Sequence, residues 1–299
     1  MMRFSAERTG IALALLAAVG FSMKAIFVKL AYGIAPVEAI TIMTLRMFFS
    51  VPVFLVVALR LHRSAPVLSR RDWVMFILLG VIGYYGSSLL DFMGLRYISA
   101  ALERLILYTY PTLTVLIAWI WFKRPLKPHE WIAIALSYAG IGFAFAHDLD
   151  LAAEGGAVWL GGGLVFASSL AYALYLTGGA PMIARLGGAR FTALAMTVSA
   201  LGAFLHFALT ESPAALFALH WKIYAFCGLM AVFSTVLPVF MLSAAIQRIG
   251  APRTVLIGSF GPVSTIFFGW LWLDEPISLH QSAGAVLALA GVLLVSLKK

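Results

Sequence analysis

The run from Ile98 to Gly140 recurs from Ile249 to Gly291, 151 positions on and without a gap. Matches at Leu, Ala and Ile weigh little in an apolar chain. The rarer pairs carry the argument: Pro111/Pro262, Trp119/Trp270, Trp121/Trp272, Pro125/Pro276, His129/His280 and Gly140/Gly291 all hold one register. The same offset sets Gly10 on Gly161, Leu13 on Leu164, Phe21 on Tyr172 and Trp73 on Tyr224. A fixed self-similarity of this kind is the mark of a duplicated unit, here residues 9–147 and 158–297.

The solvent of that unit follows from its composition. Of 299 residues, 63% are hydrophobic and 11% are charged, against about 25% charged in a soluble domain. Such a chain has too little polar surface for water and is expected in a lipid bilayer. A bilayer core about 30 Å thick takes roughly 20 apolar residues per helix. On that measure ten spans are predicted: Thr9–Leu30, Val37–Leu59, Trp73–Tyr97, Ala100–Phe122, His129–His147, Val158–Thr177, Phe191–Leu209, Ile223–Arg248, Pro252–Trp272 and His280–Leu297. The fold class expected is all-α and integral to the membrane. Five helices per repeat is an odd number, so the second repeat starts on the opposite face. The ten helices therefore form two inverted five-helix repeats.

Charge agrees with the inversion. One side receives Arg3, Arg8, Arg60, Arg63, Arg70, Arg71, Lys123, Arg124, Lys127, Arg185, Arg190, Arg248, Arg253, Lys298 and Lys299. The other receives Lys29, Arg96, Arg104 and Lys222. Basic loops stay in the cytoplasm, so both termini are expected there, in a bacterial-type inner membrane. Lys123-Arg124 aligns with Asp274-Glu275, one turn on opposite faces with its charge reversed. The net charge of +9 is absorbed by this loop bias, and nucleic acid is not an expected partner.

Several residues in the spans carry polar chemistry. Pro111 and Pro262 are mid-span and free the carbonyls of Leu107 and Gly258, since a helix-interior proline removes one backbone hydrogen bond. They are read as hinges, or as static kinks satisfied by a neighbouring Ser or Thr. Lys24 lies well inside the first span, where a charge faces the bundle interior or snorkels outward. Arg46 has the same options, and Asp91 is the candidate partner of either. Glu103 and Arg104, near the start of the fourth span, are expected at the outer rim. Lys24, Asp91, Ser259 and the tyrosines Tyr84, Tyr85, Tyr108, Tyr110, Tyr172 and Tyr175 are assigned to a substrate pathway: Lys24 is read as a group for binding a carboxylate or for proton coupling, and a buried phenol seeks a polar partner. Arg46 and His206 are candidates for an intramembrane charge or coupling role. Gly161, Gly162, Gly163, Gly284, Ala288 and Gly291 read as close-packing seams within a monomer or at a homodimer interface.

No enzyme template is found: His129-Glu130 is not followed by the second His of a zinc motif, and no nucleophile elbow or phosphate loop occurs. Cys227 stands alone, so neither a disulfide nor a cysteine metal site is expected, and no cofactor or metal is assigned.

The runs around the two prolines, the turns Arg124-Pro125 and Glu275-Pro276, and the closing Ala139-Gly140 and Ala290-Gly291 together resemble the repeat of EamA-type members of the drug/metabolite transporter superfamily. The resemblance covers nearly the whole chain. It implies export of small metabolites by alternating access through a central cavity between the repeats. The tyrosine-rich spans are most similar to those of YddG-type amino-acid exporters, which implies an aromatic or neutral amino acid as substrate. A drug or sugar carrier of the same fold is the alternative within transport. A non-transporting membrane receptor or an intramembrane enzyme is the alternative outside it.

Overall fold

The computed structural model describes residues 2–62, 68–123, 125–151 and 155–297. Arg63, Arg124, Lys298 and Lys299, which enter the charge bias, lie outside them. The described residues contain no strand. The spans are α1 (Met2–Tyr32), α2 (Ala39–His62), α3 (Arg70–Gly94), α4 (Ala100–Leu107 continued by Tyr110–Phe122), α5 (Pro128–Leu151), α6 (Gly155–Leu186), α7 (Gly188–Thr210), α8 (Trp221–Ile249), α9 (Ala251–Gly258 continued by Gly261–Leu273) and α10 (Leu279–Leu297). Among the described residues nine are apolar and long enough to cross a membrane. The tenth, α10, has 19 residues, about 28 Å at 1.5 Å per residue.

The duplication is written into the backbone. α4 breaks after Leu107 and resumes at Tyr110, and α9 breaks after Gly258 and resumes at Gly261. α3 carries a π-helical stretch over Gly80–Gly86, and α8 carries one over Val232–Val236. α4 ends on Lys123 with φ 53° and α9 on Asp274 with φ 54°. A left-handed residue other than glycine is uncommon, and here it recurs at the repeat offset with opposite charge.

Packing crosses between the repeats. α1 packs mainly on α8 and α9, while its counterpart α6 packs on α3 and α4. α2 pairs with α7 and α5 with α10, each helix beside its own repeat equivalent. Lipid tails are as apolar as leucine, so close backbone approach rather than hydrophobic burial holds such helices together. The α5–α10 seam shows how. A Cβ on Gly140 would collide with the Gly284 carbonyl, and one on Gly291 with Ser137 and the Ala133 carbonyl. Gly161 meets Tyr97 and Ile98, and Gly162 meets Phe145. These small residues are seams within one chain, whereas Gly163 opens outward with nothing near its Cβ position. Outward faces carry Leu59, Trp159, Leu209 and Val286, all exposed.

Two faces follow from the helix directions. Arg253 pairs with Glu7 at 2.7 Å and Arg185 with Asp72 at 2.5 Å on the face holding the N-terminus. The opposite face gathers the ends of α1, α3 and α5 and the turn before α10.

Candidate functional site

The two breaks in α4 and α9 leave carbonyls without their helical partners, and both find hydroxyls. Ser169 Oγ, from α6, donates to the Leu107 carbonyl at 3.1 Å. Tyr108 Oη donates to the Gly258 carbonyl at 2.5 Å. Ser22 Oγ, from α1, lies 2.8 Å from the Gly261 carbonyl. An unpaired carbonyl is costly in lipid, so these contacts are what make the proline breaks tolerable. Pro111 and Pro262 sit in the first turn of the resumed segments, where a missing N–H costs little. Among the described residues Ser259, the repeat equivalent of Tyr108, bonds within its own helix, to the Leu256 carbonyl at 2.6 Å.

Beside the α4 break lies a cluster of charge. Lys24 Nζ is 2.5 Å from Asp91 Oδ2 and 3.2 Å from Glu103 Oε1. Asp91 is 1% exposed and Glu103 is fully buried. Lys24 therefore points inward and is engaged by two carboxylates. Asp91 pairs with Lys24 rather than Arg46. The Arg46 guanidinium lies over the Phe92 ring at 4.9 Å, and that of Arg104 over the Tyr108 ring at 5.2 Å.

Glu103 and Arg104 are not at the rim, as their position along the span suggested. Both are buried. Their depth is set by neighbours rather than by their own helix. The N-terminus of α4 is roofed by Glu275, whose carboxylate accepts from the Ala100 N–H at 2.9 Å. Asp148 accepts from the Ser99 N–H at 2.7 Å. One turn below that roof, Glu103 faces Lys24 of α1.

The tyrosines separate into two groups. Tyr84, Tyr108, Tyr110, Tyr172 and Tyr175 form a continuous ring chain, with Tyr108–Tyr110 at 6.2 Å, Tyr110–Tyr172 at 5.2 Å and Tyr84–Tyr175 at 4.9 Å between centroids. Tyr175 is buried, and Tyr84, Tyr108, Tyr110 and Tyr172 are half-buried although they lie mid-span; Tyr84, Tyr110 and Tyr172 pack against buried apolar clusters. Tyr85 is not in this group. One residue further along α3, it turns to α7 and bonds His206 Nδ1 at 2.6 Å, which gives His206 a structural partner. Gly83 lets α3 approach α6 here, since a Cβ would overlap Tyr175.

The opposite face is tied shut above the cluster. Lys29 Nζ is 3.2 Å from Glu275 Oε1 and donates to the Ile98 carbonyl at 2.7 Å. Arg96 reaches the Val37 carbonyl at 2.5 Å and Glu38 at 3.0 Å, and stacks on Tyr32. Partial burial works against the Arg96 charge, but Tyr32 and Glu38 outweigh it and raise its pKa. Two recesses open on this face: one of about 260 Å³ beside Asp148 and Glu275, and one of about 410 Å³ beside Tyr32 and Glu38. No grouping of His, Cys, Asp and Glu suited to a metal ion occurs among the described residues.

Sequence reasoning missed Glu275 and Asp148 as caps and the two π-helical stretches. A capping role needs the partner N–H, which comes from another helix. The π stretch in α3 had a signal in Gly80, Gly83 and Gly86, three glycines within one helix.

Comparison with known proteins matches the EamA-like transporter family model twice, over residues 8–146 and 159–297. The uncharacterized transporter YcbK of Bacillus subtilis is 28% identical over 90% of this chain and 87% of its own length. The uncharacterized transporter YyaM of the same organism is 27% identical, over 76% of this chain and 74% of its own length. A crystal structure of 16% sequence identity superposes with a TM-score of 0.65, covering 97% of this chain and 99% of that one; it shares the fold. With two matched repeats across nearly its whole length, the chain is a multi-pass membrane protein that belongs to the EamA-like transporter family.

Proposed function

We propose that this transporter is a secondary carrier that exports small metabolites, above all amino acids with aromatic or neutral side chains, across a bacterial-type inner membrane. The observation that carries the reading is the ring chain of Tyr84, Tyr108, Tyr110, Tyr172 and Tyr175. It lies next to buried charge and to both helix breaks, at the seam between the repeats. A partly open aromatic wall suits an apolar side chain, while broken-helix backbone and ionic groups suit a zwitterionic head. The basic face that holds the N-terminus supports a cytoplasmic placement of the termini. Rocking of the repeats about α4 and α9 would expose the seam to each side in turn.

The test is flux into proteoliposomes of labelled phenylalanine, leucine and a threonine control, with unlabelled sugars and cationic drugs as competitors. Saturable flux that Tyr172→Ala shifts away from aromatic substrates is the expected result. Flux blocked by sugars or drugs and not by amino acids makes the chain a carrier of those compounds. Binding without flux makes it a receptor.

A further inference from the structure

We infer that Arg104 of α4, set against the start of the resumed half of α9, is the seat for a carboxylate of the substrate. The inference rests on the transport reading and narrows it to cargo that carries a free carboxylate.

Arg104 is 8% exposed, and its Nε has no hydrogen-bond partner among the described residues. No carboxylate stands within ion-pair distance of it among them either. Its guanidinium lies over the Tyr108 ring at 5.2 Å. A buried cation without a paired anion is costly to keep, and a ligand that supplies the anion removes that cost. The planar fork of an arginine matches a carboxylate with two parallel N–H bonds. Charge counting around Asp91 and Glu103 agrees: Lys24, Arg46 and Arg104 stand against two carboxylates, one anion short.

A second source of positive potential meets Arg104. After their breaks α4 and α9 each resume as a helix of 13 residues, Tyr110–Phe122 and Gly261–Leu273. The Tyr108–Gly258 hydrogen bond ties the two breaks together, so the two N-terminal ends lie close to each other in the seam. Each end presents N–H groups without carbonyl partners in its own segment and carries about half an elementary positive charge. Arg104 stands at the α9 end, its Nη2 only 3.1 Å from where Gly261 would carry a Cβ. The carbonyls that close the preceding segments, at Leu107 and Gly258, already accept from Ser169 and Tyr108. The place is thus rich in donors. Beside the same break the Cβ position of Gly258 has no atom within 4 Å. A carboxylate held by Arg104 sets its apolar substituent against Tyr108 and Tyr110, the near end of the ring chain.

The other cations are placed differently. Lys24 is engaged by Asp91 and Glu103. Arg46 lacks partners at Nε and Nη2, but the ring beneath it, Phe92, belongs to an apolar core.

The test titrates the full chain in nanodiscs with three probes that share a phenyl ring: phenylalanine, 3-phenylpropanoate and phenethylamine. Equilibrium binding and the thermal midpoint are read for each. The two carboxylates are expected to bind the wild type and to compete, whereas phenethylamine, which lacks the carboxylate, does not. Arg104→Gln is expected to raise Kd for both carboxylates on the order of ten- to hundredfold, and Arg104→Lys, which keeps the charge, to recover part of the loss. Should Arg104→Gln fail to fold, the three probes on the wild type and Arg104→Lys decide. Phenethylamine binding as tightly as phenylalanine, or no binding by any probe, overturns the inference. So does unchanged carboxylate affinity in a folded Arg104→Gln. Chloride that displaces 3-phenylpropanoate at equal concentration marks a site for any small anion and overturns the carboxylate assignment. Phenylalanine flux that Arg104→Gln leaves intact also overturns it, with the carrier standing. Carboxylate binding lost in Arg104→Gln, without flux of any amino acid in the wild type, keeps the seat and removes the transport reading.

Discussion

The Tyr108 hydroxyl, in the break of α4, donates to the Gly258 carbonyl at the break of α9, 150 residues away. The residue that one proline break exposes is thus spent on satisfying the other. Among the described residues the reciprocal contact does not occur: Ser259, the counterpart of Tyr108, bonds to its own helix. Ser169 of α6 serves the Leu107 carbonyl in its place.

Tyr108→Phe removes that donor and keeps the ring under Arg104. Leaving a buried acceptor unpaired costs about 1–3 kcal/mol. The thermal midpoint in detergent is expected to fall, and Ser169→Ala is expected to do the same through the Leu107 carbonyl. Unchanged midpoints for both would mean that water, not protein, satisfies the two breaks.

Lys24→Met strands two buried carboxylates. Breaking a buried pair from one side costs about 3–5 kcal/mol, and unfolding in detergent at neutral pH should show a loss of that order. Adding Asp91→Asn removes one of the stranded groups and is expected to restore most of it. Losses that simply add in the double variant would show that the two residues do not interact.

Glu275 closes the opposite face through two contacts, the Ala100 N–H and Lys29. Glu275→Ala releases both. In a Cys227→Ala background, a cysteine placed at buried Ile98 is expected to react several-fold faster with a membrane-impermeant maleimide once Glu275 is gone. Equal labelling rates would remove Glu275 from the closure.

Gly140 and Gly163 give opposite expectations for one chemical change. Gly140→Leu drives a side chain into the Gly284 backbone in the α5–α10 seam. Overpacking of this kind costs about 1–3 kcal/mol, occasionally more. Gly163→Leu meets open space and is expected to stay within about 0.5 kcal/mol of the parent. Size-exclusion yield and thermal midpoint report both.

The repeat was legible because Pro111/Pro262 and the Lys123/Asp274 turn keep one register, and the breaks and left-handed caps stand at those positions. The inversion was legible because an odd helix count and a charge reversal say the same thing. Glu103 was misplaced for a physical reason. Depth in a bundle depends on how far the neighbours rise, and a single span does not record that Glu275 and Asp148 roof the start of α4. Tyr85 and Tyr84 are adjacent in sequence, and the helical turn between them sends one to His206 and the other to the ring chain. Sequence shows that both are aromatic and mid-span, but not which helix each one meets.

The crossed seating of α1 and α6 also governs how the chain can be made. α1 leaves the ribosome well before its partners α8 and α9, which follow some 200 residues later. At 5–20 residues per second that is a wait of roughly 10–40 s. For that interval the main packing partners of α1 do not yet exist. Lys24, Asp91 and Glu103 are all made before that wait ends, so the contacts that tie the first helix to its own half need nothing from the other half.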